Sequence, residues 1–103
     1  MKRDFTYIDD IIAGTRAAIE KNYKCEIFNL GNHKSEPLMN VIDLIEKKLG
    51  EKAIIDFKPM QPGDFVESFA DIKYSQEKLG FHPRTTIKNG IPKFVEWYQE
   101  FYR

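Results

Sequence analysis

Two hydrophobic periods alternate along the chain. Ile8, Ile11, Ile12, Thr15 and Ile19 recur at three- and four-residue spacing, which predicts a helix to about residue 21 with Asp9 as its N-cap. Ahead of it, the β-prone stretch Phe5–Ile8 predicts a short strand. "CEIFNLG", residues 25–31, predicts a strand ending at Gly31, and "NHKSEP" reads as a polar turn. Val41, Leu44, Ile45 and Leu49 form the stripe of a second helix, capped by Asn40 and stopped by Gly50. "AIIDF", residues 53–57, is the second clear strand pattern, and the two prolines and the glycine of "KPMQPGD" predict a loop. Asp71 is placed to cap a short helix that ends before Gly80. Ile91, Phe94, Val95, Tyr98 and Tyr102 mark the last helix. Pro92 limits where that helix begins: a Thr86 cap would put proline in the second turn, an Asn89 cap in the first. The later start, or a kink, is expected. The sum is a small α/β domain with a few short strands and about four helices, undivided by any linker, repeat or low-complexity tract.

A chain of 103 residues buries roughly 60–65% of its unfolded surface, enough for one modest core. Sixteen basic and sixteen acidic side chains cancel, so no global field draws the protein to nucleic acid or an anionic membrane, and any anion site must be local. The single cysteine, Cys25, excludes an intrachain disulfide and fits a reducing, cytoplasmic setting. No apolar run approaches the ~18 residues of a membrane span.

Candidate chemistry is sparse. The sequence has no Gly-rich strand-to-helix turn for a dinucleotide pyrophosphate, no GxxxxGK phosphate loop and no Tyr-x-x-x-Lys couple. His33 and His82 fall in separate polar loops without a nucleophile, and no metal cluster is spelled out. Cys25, at the head of an apolar strand, is expected to be a buried, inert thiol. Asp9 and Asp10 look like an acid–base pair, but carboxylates at a helix N-terminus ordinarily cap it and complement its dipole. On composition alone Arg3 reads as a surface ion-pair partner of Asp4 or Asp9, and Asp64 as a turn residue. The stripe Trp97, Tyr98, Phe101 and Tyr102 is expected to pack on the core or on another lobe; no basic run accompanies it to suggest nucleic acid.

"RDFTYIDDI" at 3–11 resembles a signature of the extended short-chain dehydrogenase/reductase superfamily, among its nucleotide-sugar epimerases and dehydratases. "FNLGN" at 28–32, "VIDLIEKKLG" at 41–50, "MQPGDFVESFADI" at 60–72 and "EKLGFHPRTTIKNGIPKFVEWYQEFY" at 77–102 follow in the order seen in the C-terminal third of the UDP-glucuronate 4-epimerase branch. The resemblance implies that a Rossmann domain bearing the NAD turn and the catalytic Tyr-x-x-x-Lys precedes this region in such enzymes. Residues 1–103 are then expected to form the UDP-sugar-binding lobe without it, to bind no cofactor themselves and to be inactive alone. The same resemblance assigns Arg3 to the UDP diphosphate and Asp64 to the ribose hydroxyls. Gln61 stands where many galactose-type epimerases carry arginine, so it can contact the nucleotide without neutralising phosphate. Asp4, Asn29 and Gly31 are read as structural. After Asp71 the chain departs from the family pattern, with Lys73 and Tyr74 in place of Ser-Lys or similar.

Three outcomes stay open for the isolated lobe: weak UDP-sugar binding, assembly with itself or with a separate Rossmann-bearing chain, or an inert remnant. Apolar surface left by a missing lobe would favour assembly.

Overall fold

A computed structural model describes residues 1–102. The element order is β1 (Lys2–Arg3), α1 (Ile8–Lys21), β2 (Glu36–Pro37), α2 (Leu38–Leu49), α3 (Lys73–Leu79) and α4 (Ile87–Phe101). β1 and β2 pair antiparallel, Lys2 opposite Pro37 and Arg3 opposite Glu36. The other edge of β1 takes up the segment 66–68: Lys2 N–H donates to the Val66 carbonyl at 2.8 Å, and Ser68 N–H donates to the Lys2 carbonyl at 3.2 Å. The α/β reading therefore holds, with four helices and a two-stranded sheet.

Two small cores sit beside this sheet. Ile72, Leu79 and Phe81 are buried together, with Ala17, Ala18, Phe28, Leu30 and Ala70 packed on them, and this unites α1 with α3. Val41 on α2, with Ile87 and Val95 on α4, forms the other. Lys48 and Glu96 close the α2–α4 pair at 2.9 Å, and the Lys48 ammonium holds the Glu96 carboxyl below the ordinary carboxylate range.

Two carboxylates near the chain's start tie these pieces together. Asp4 accepts from the backbone N–H groups of Asn32 (2.9 Å), His33 (3.1 Å) and Ala70 (3.0 Å). Gly31 is required beside it, since a Cβ there would lie 2.8 Å from Asp4 Oδ2 and 2.6 Å from the Ala70 methyl. Asp10 is buried and accepts from Arg84 and Thr85 N–H at 3.1 and 3.0 Å, so the opening of α1 fixes the approach to α4. The pair is thus neither a cap nor an acid–base couple: Asp9 lies exposed in the first turn, and the N-cap position is Tyr7.

Several sequence-based elements shift. Phe5–Tyr7 is not a strand, and Ile8 already opens α1. Residues 25–31 and 53–57 carry strand patterns but join no ladder among the described residues, because a strand exists only with a neighbour to bond. Residues 25–31 are held by side chains instead: Ser75 Oγ donates to the Asn29 carbonyl at 2.6 Å. Cys25 is exposed with φ +52°, a turn position at the end of α1 rather than a buried strand head. α2 starts two residues before Asn40, immediately after Pro37. α3 has Ile72 at its N-cap, with Asp71 Oδ1 still accepting Lys73 N–H at 3.1 Å. Gly50 and Gly80 end their helices in the left-handed conformation, as the sequence indicates. α4 takes the earlier start, with Thr86 at its N-cap and Pro92 inside the helix. Burial of Ile87, and the Tyr7 ring lying 3.1 Å from where a Gly90 Cβ would be, outweigh the bond that proline forfeits. At the departure from the family pattern, Tyr74 stacks on Phe28 (5.4 Å) and donates to Glu26 at 2.8 Å, which pushes its pKa above the ordinary phenol value.

Two stability measurements follow from this framework. Asp4→Ala leaves three N–H groups without their charged acceptor and is expected to cost about 3 kcal/mol in urea unfolding; a change under about 0.5 kcal/mol would remove Asp4 from its organising role. Pro92→Ala gives the Lys88 carbonyl an N–H partner and is expected to raise stability by about 1 kcal/mol or more. A lowered unfolding midpoint would contradict that account of α4.

Candidate functional site

Gln61 and Asp64 are the two ends of one tight turn. Pro62 occupies its second position, Gly63 its third at φ +88°, and Asp64 N–H closes it on the Gln61 carbonyl at 3.2 Å. Proline followed by a positive-φ glycine is the chemistry of a type II turn, in which the end residues' Cα atoms lie less than about 7 Å apart. The amide and the carboxylate therefore rise from neighbouring points, and both are exposed.

Two residues beyond Asp64 the chain is clamped to β1 by the Val66 and Ser68 bonds to Lys2. Arg3, next along that strand, is half-buried. Its Nη1 donates to the Lys2 carbonyl at 2.8 Å, and it forms no ion pair with Asp4 or Asp9 among the described residues. The surface-pair reading of Arg3 is thus replaced by a guanidinium resting on its own strand, with most of its donor fork uncommitted. Segment 66–68 ties the chain beyond the Gln61–Asp64 turn to the strand that carries Arg3, but no hydrogen bond joins Arg3, Gln61 and Asp64 through their side chains among the described residues.

The region around the turn mixes polar groups with the exposed Met60, Phe65 and Val66. Asp4 anchors it, and its two acceptor oxygens are taken by backbone N–H groups, leaving it no ligand role. His33, at φ +52°, has Nδ1 2.9 Å from the Ala70 carbonyl and its ring edge-on to Phe69, so it braces the segment leading out of the turn. Neither the Lys2 clamp nor the His33 brace is legible in the sequence, because both rest on backbone groups more than thirty positions away.

A groove of about 660 Å3 lies elsewhere, between Phe5, Tyr7, Ile87, Gly90, Phe94 and Trp97. It includes none of the three polar residues and its walls are largely apolar. A diphosphate would find only the Lys93 ammonium there to balance its charge. No helix is long and apolar enough to cross a membrane among the described residues.

A dinucleotide cofactor does not fit these residues. The helices open after Tyr7, Pro37, Ile72 and Thr86, and none of these starts offers the small-residue turn that lets a pyrophosphate approach backbone N–H groups.

No family model matches the chain. An uncharacterised protein of Methanocaldococcus jannaschii is 48% identical over 100 residues, covering 97% of this chain and 31% of that protein. UDP-glucuronate 4-epimerase 4 of Arabidopsis thaliana is 35% identical over 114 residues, covering 97% of the chain and 26% of the enzyme. The crystal structure of UDP-glucuronic acid 4-epimerase from Bacillus cereus, in complex with UDP-glucuronic acid and NAD, superposes with a TM-score of 0.86 at 33% identity. That match covers 98% of this chain and 33% of that one. The chain thus spans about a third of the length of these relatives, and the matched region is their C-terminal part.

Proposed function

The chain belongs with the NAD-dependent nucleotide-sugar epimerases akin to UDP-glucuronate 4-epimerase and corresponds to their C-terminal part; from that premise we propose that residues 1–103 form a UDP-sugar-binding lobe. Arg3 presents its guanidinium fork to the diphosphate oxygens. The Asp64 carboxylate accepts hydrogen bonds from the ribose hydroxyls, and the Gln61 amide contacts the nucleotide without adding charge. Support comes from the tight turn that pairs Gln61 with Asp64 and from the Lys2 clamp that holds it at the edge of the strand carrying Arg3. In the whole enzyme a bound NAD would supply the hydride chemistry. None of that chemistry is assigned to residues of this chain, which alone is inactive as an epimerase.

Binding by the lobe alone is weak, because a site between two lobes loses half its contacts when one is absent. A second reading, assembly with a separate Rossmann-bearing chain, has its own support. The strand patterns at 25–31 and 53–57 find no ladder partner among the described residues, and Ile27, Ile54 and Phe57 stand almost wholly in solvent.

UDP titration followed by amide NMR tests the first reading. Saturable shifts near residues 3, 61 and 64 are expected with a dissociation constant on the order of millimolar, and Arg3→Ala is expected to weaken binding roughly 10- to 100-fold. Absence of shifts at several millimolar UDP would overturn the half-site. For the second reading, co-expression with the NAD-binding portion of the Bacillus cereus relative is expected to yield a co-purifying pair; two species that separate cleanly on sizing would dismiss it.

A further inference from the structure

α4 carries an apolar seam that the nucleotide half-site does not use. Phe94, Trp97 and Phe101 are all at least half exposed. They follow one another at three- and four-residue spacing on one face, with ring centroids 5.9 and 5.4 Å apart, the second pair stacked. This is the repeat of a helix-pairing seam. Lys93 immediately precedes Phe94 and Glu100 immediately precedes Phe101, so both charges flank the seam on the same side, one in each half of the helix.

We propose that this seam is a self-association surface, and that its occupant is the α4 helix of a second copy of this chain running antiparallel about a two-fold axis near Trp97. Charge complementarity selects this arrangement. About that axis Lys93 of each copy faces Glu100 of the other, giving two symmetric pairs, while Phe94 of each meets Phe101 of the other. A parallel pairing would put the Lys93–Glu100 sides of the two helices on opposite flanks of the seam and form neither pair. Isologous pairing needs one surface that is complementary to itself, and a seam with opposite charges at equal distances from its centre provides that. Antiparallel helices also set opposite dipole ends side by side.

The groove beside α4 extends the contact. A helix of 15 residues is only about 23 Å long, so the seam alone falls short of a standard interface. In the antiparallel arrangement the aromatic end of one helix, Phe101 and Tyr102, lies across the mouth of the partner's groove between Tyr7 and Phe94. The association is accordingly modest, with a dissociation constant on the order of micromolar. This inference is independent of UDP binding.

Sedimentation velocity across about 1 to 500 μM tests it, with circular dichroism confirming that each variant is folded. The wild-type chain is expected to pass from 12.1 kDa to twice that mass. Trp97→Glu is expected to abolish the dimer over this range. Lys93→Glu and Glu100→Lys each set like charges together at two symmetric places and are expected to weaken it about tenfold. The double variant K93E/E100K restores opposite charges and is expected to return to within about threefold of wild type. A chain that remains monomeric at 500 μM overturns the proposal, as does a dimer indifferent to Trp97→Glu. A double variant no better than the singles overturns the antiparallel register.

Discussion

The Asp4 carboxylate is the constraint on which the sheet and the polar site depend. Its oxygens take N–H groups from Asn32, His33 and Ala70, segments twenty-eight or more positions away. A carboxylate suits this duty because it carries acceptor sites without a donor to place, and its charge strengthens each bond. Once Asp4 is seated, β1 has little freedom. Lys2 falls between Pro37 and the 66–68 segment, and Arg3 follows it at the same edge. Asp10 repeats the device in the first turn of α1, drawing in residues 84 and 85 and so aiming α4. Five backbone donors from separated loops thus converge on two side chains among the first ten residues.

That economy explains a fold with so little core. The radius of gyration is 16.1 Å, against about 13 Å for a compact chain of this length, and the shortest extent is 19 Å. Hydrophobic burial is confined to a few residues around Phe81 and Val95, and charge-assisted bonds carry the long-range order. The corollary is apolar surface on α4 and along 54–66 that the chain itself does not cover.

The sequence revealed features that are decided locally and hid those decided by a distant partner. All four helices were legible because the 3.6-residue period and a terminal glycine are local signals; Gly50 and Gly80 behave as expected. The Gln61–Asp64 turn was legible for the same reason. The strands were not, since alternation at Phe28 and Leu30 is the same whether or not a neighbouring backbone is present to bond. Asp10 was read as a cap because its neighbours in sequence suggested nothing else, while its real partners lie more than seventy positions on. Pro92 misled in the other direction. A local cost was weighed without the burial of Ile87 and Gly90 that offsets it.

The polar edge and the aromatic seam are separate consequences of this frame. Arg3 and the Gln61–Asp64 turn hang from β1, which Asp4 fixes; α4 hangs from residues 84 and 85, which Asp10 fixes. A perturbation at one anchor need not reach the other, because coupling between sites requires a shared element with two arrangements, and the carboxylates hold different loops. The proposed nucleotide recognition at the β1 edge and the proposed pairing along α4 are therefore separable. The short stretch from Asp4 to Asp10 is what places both on one molecule.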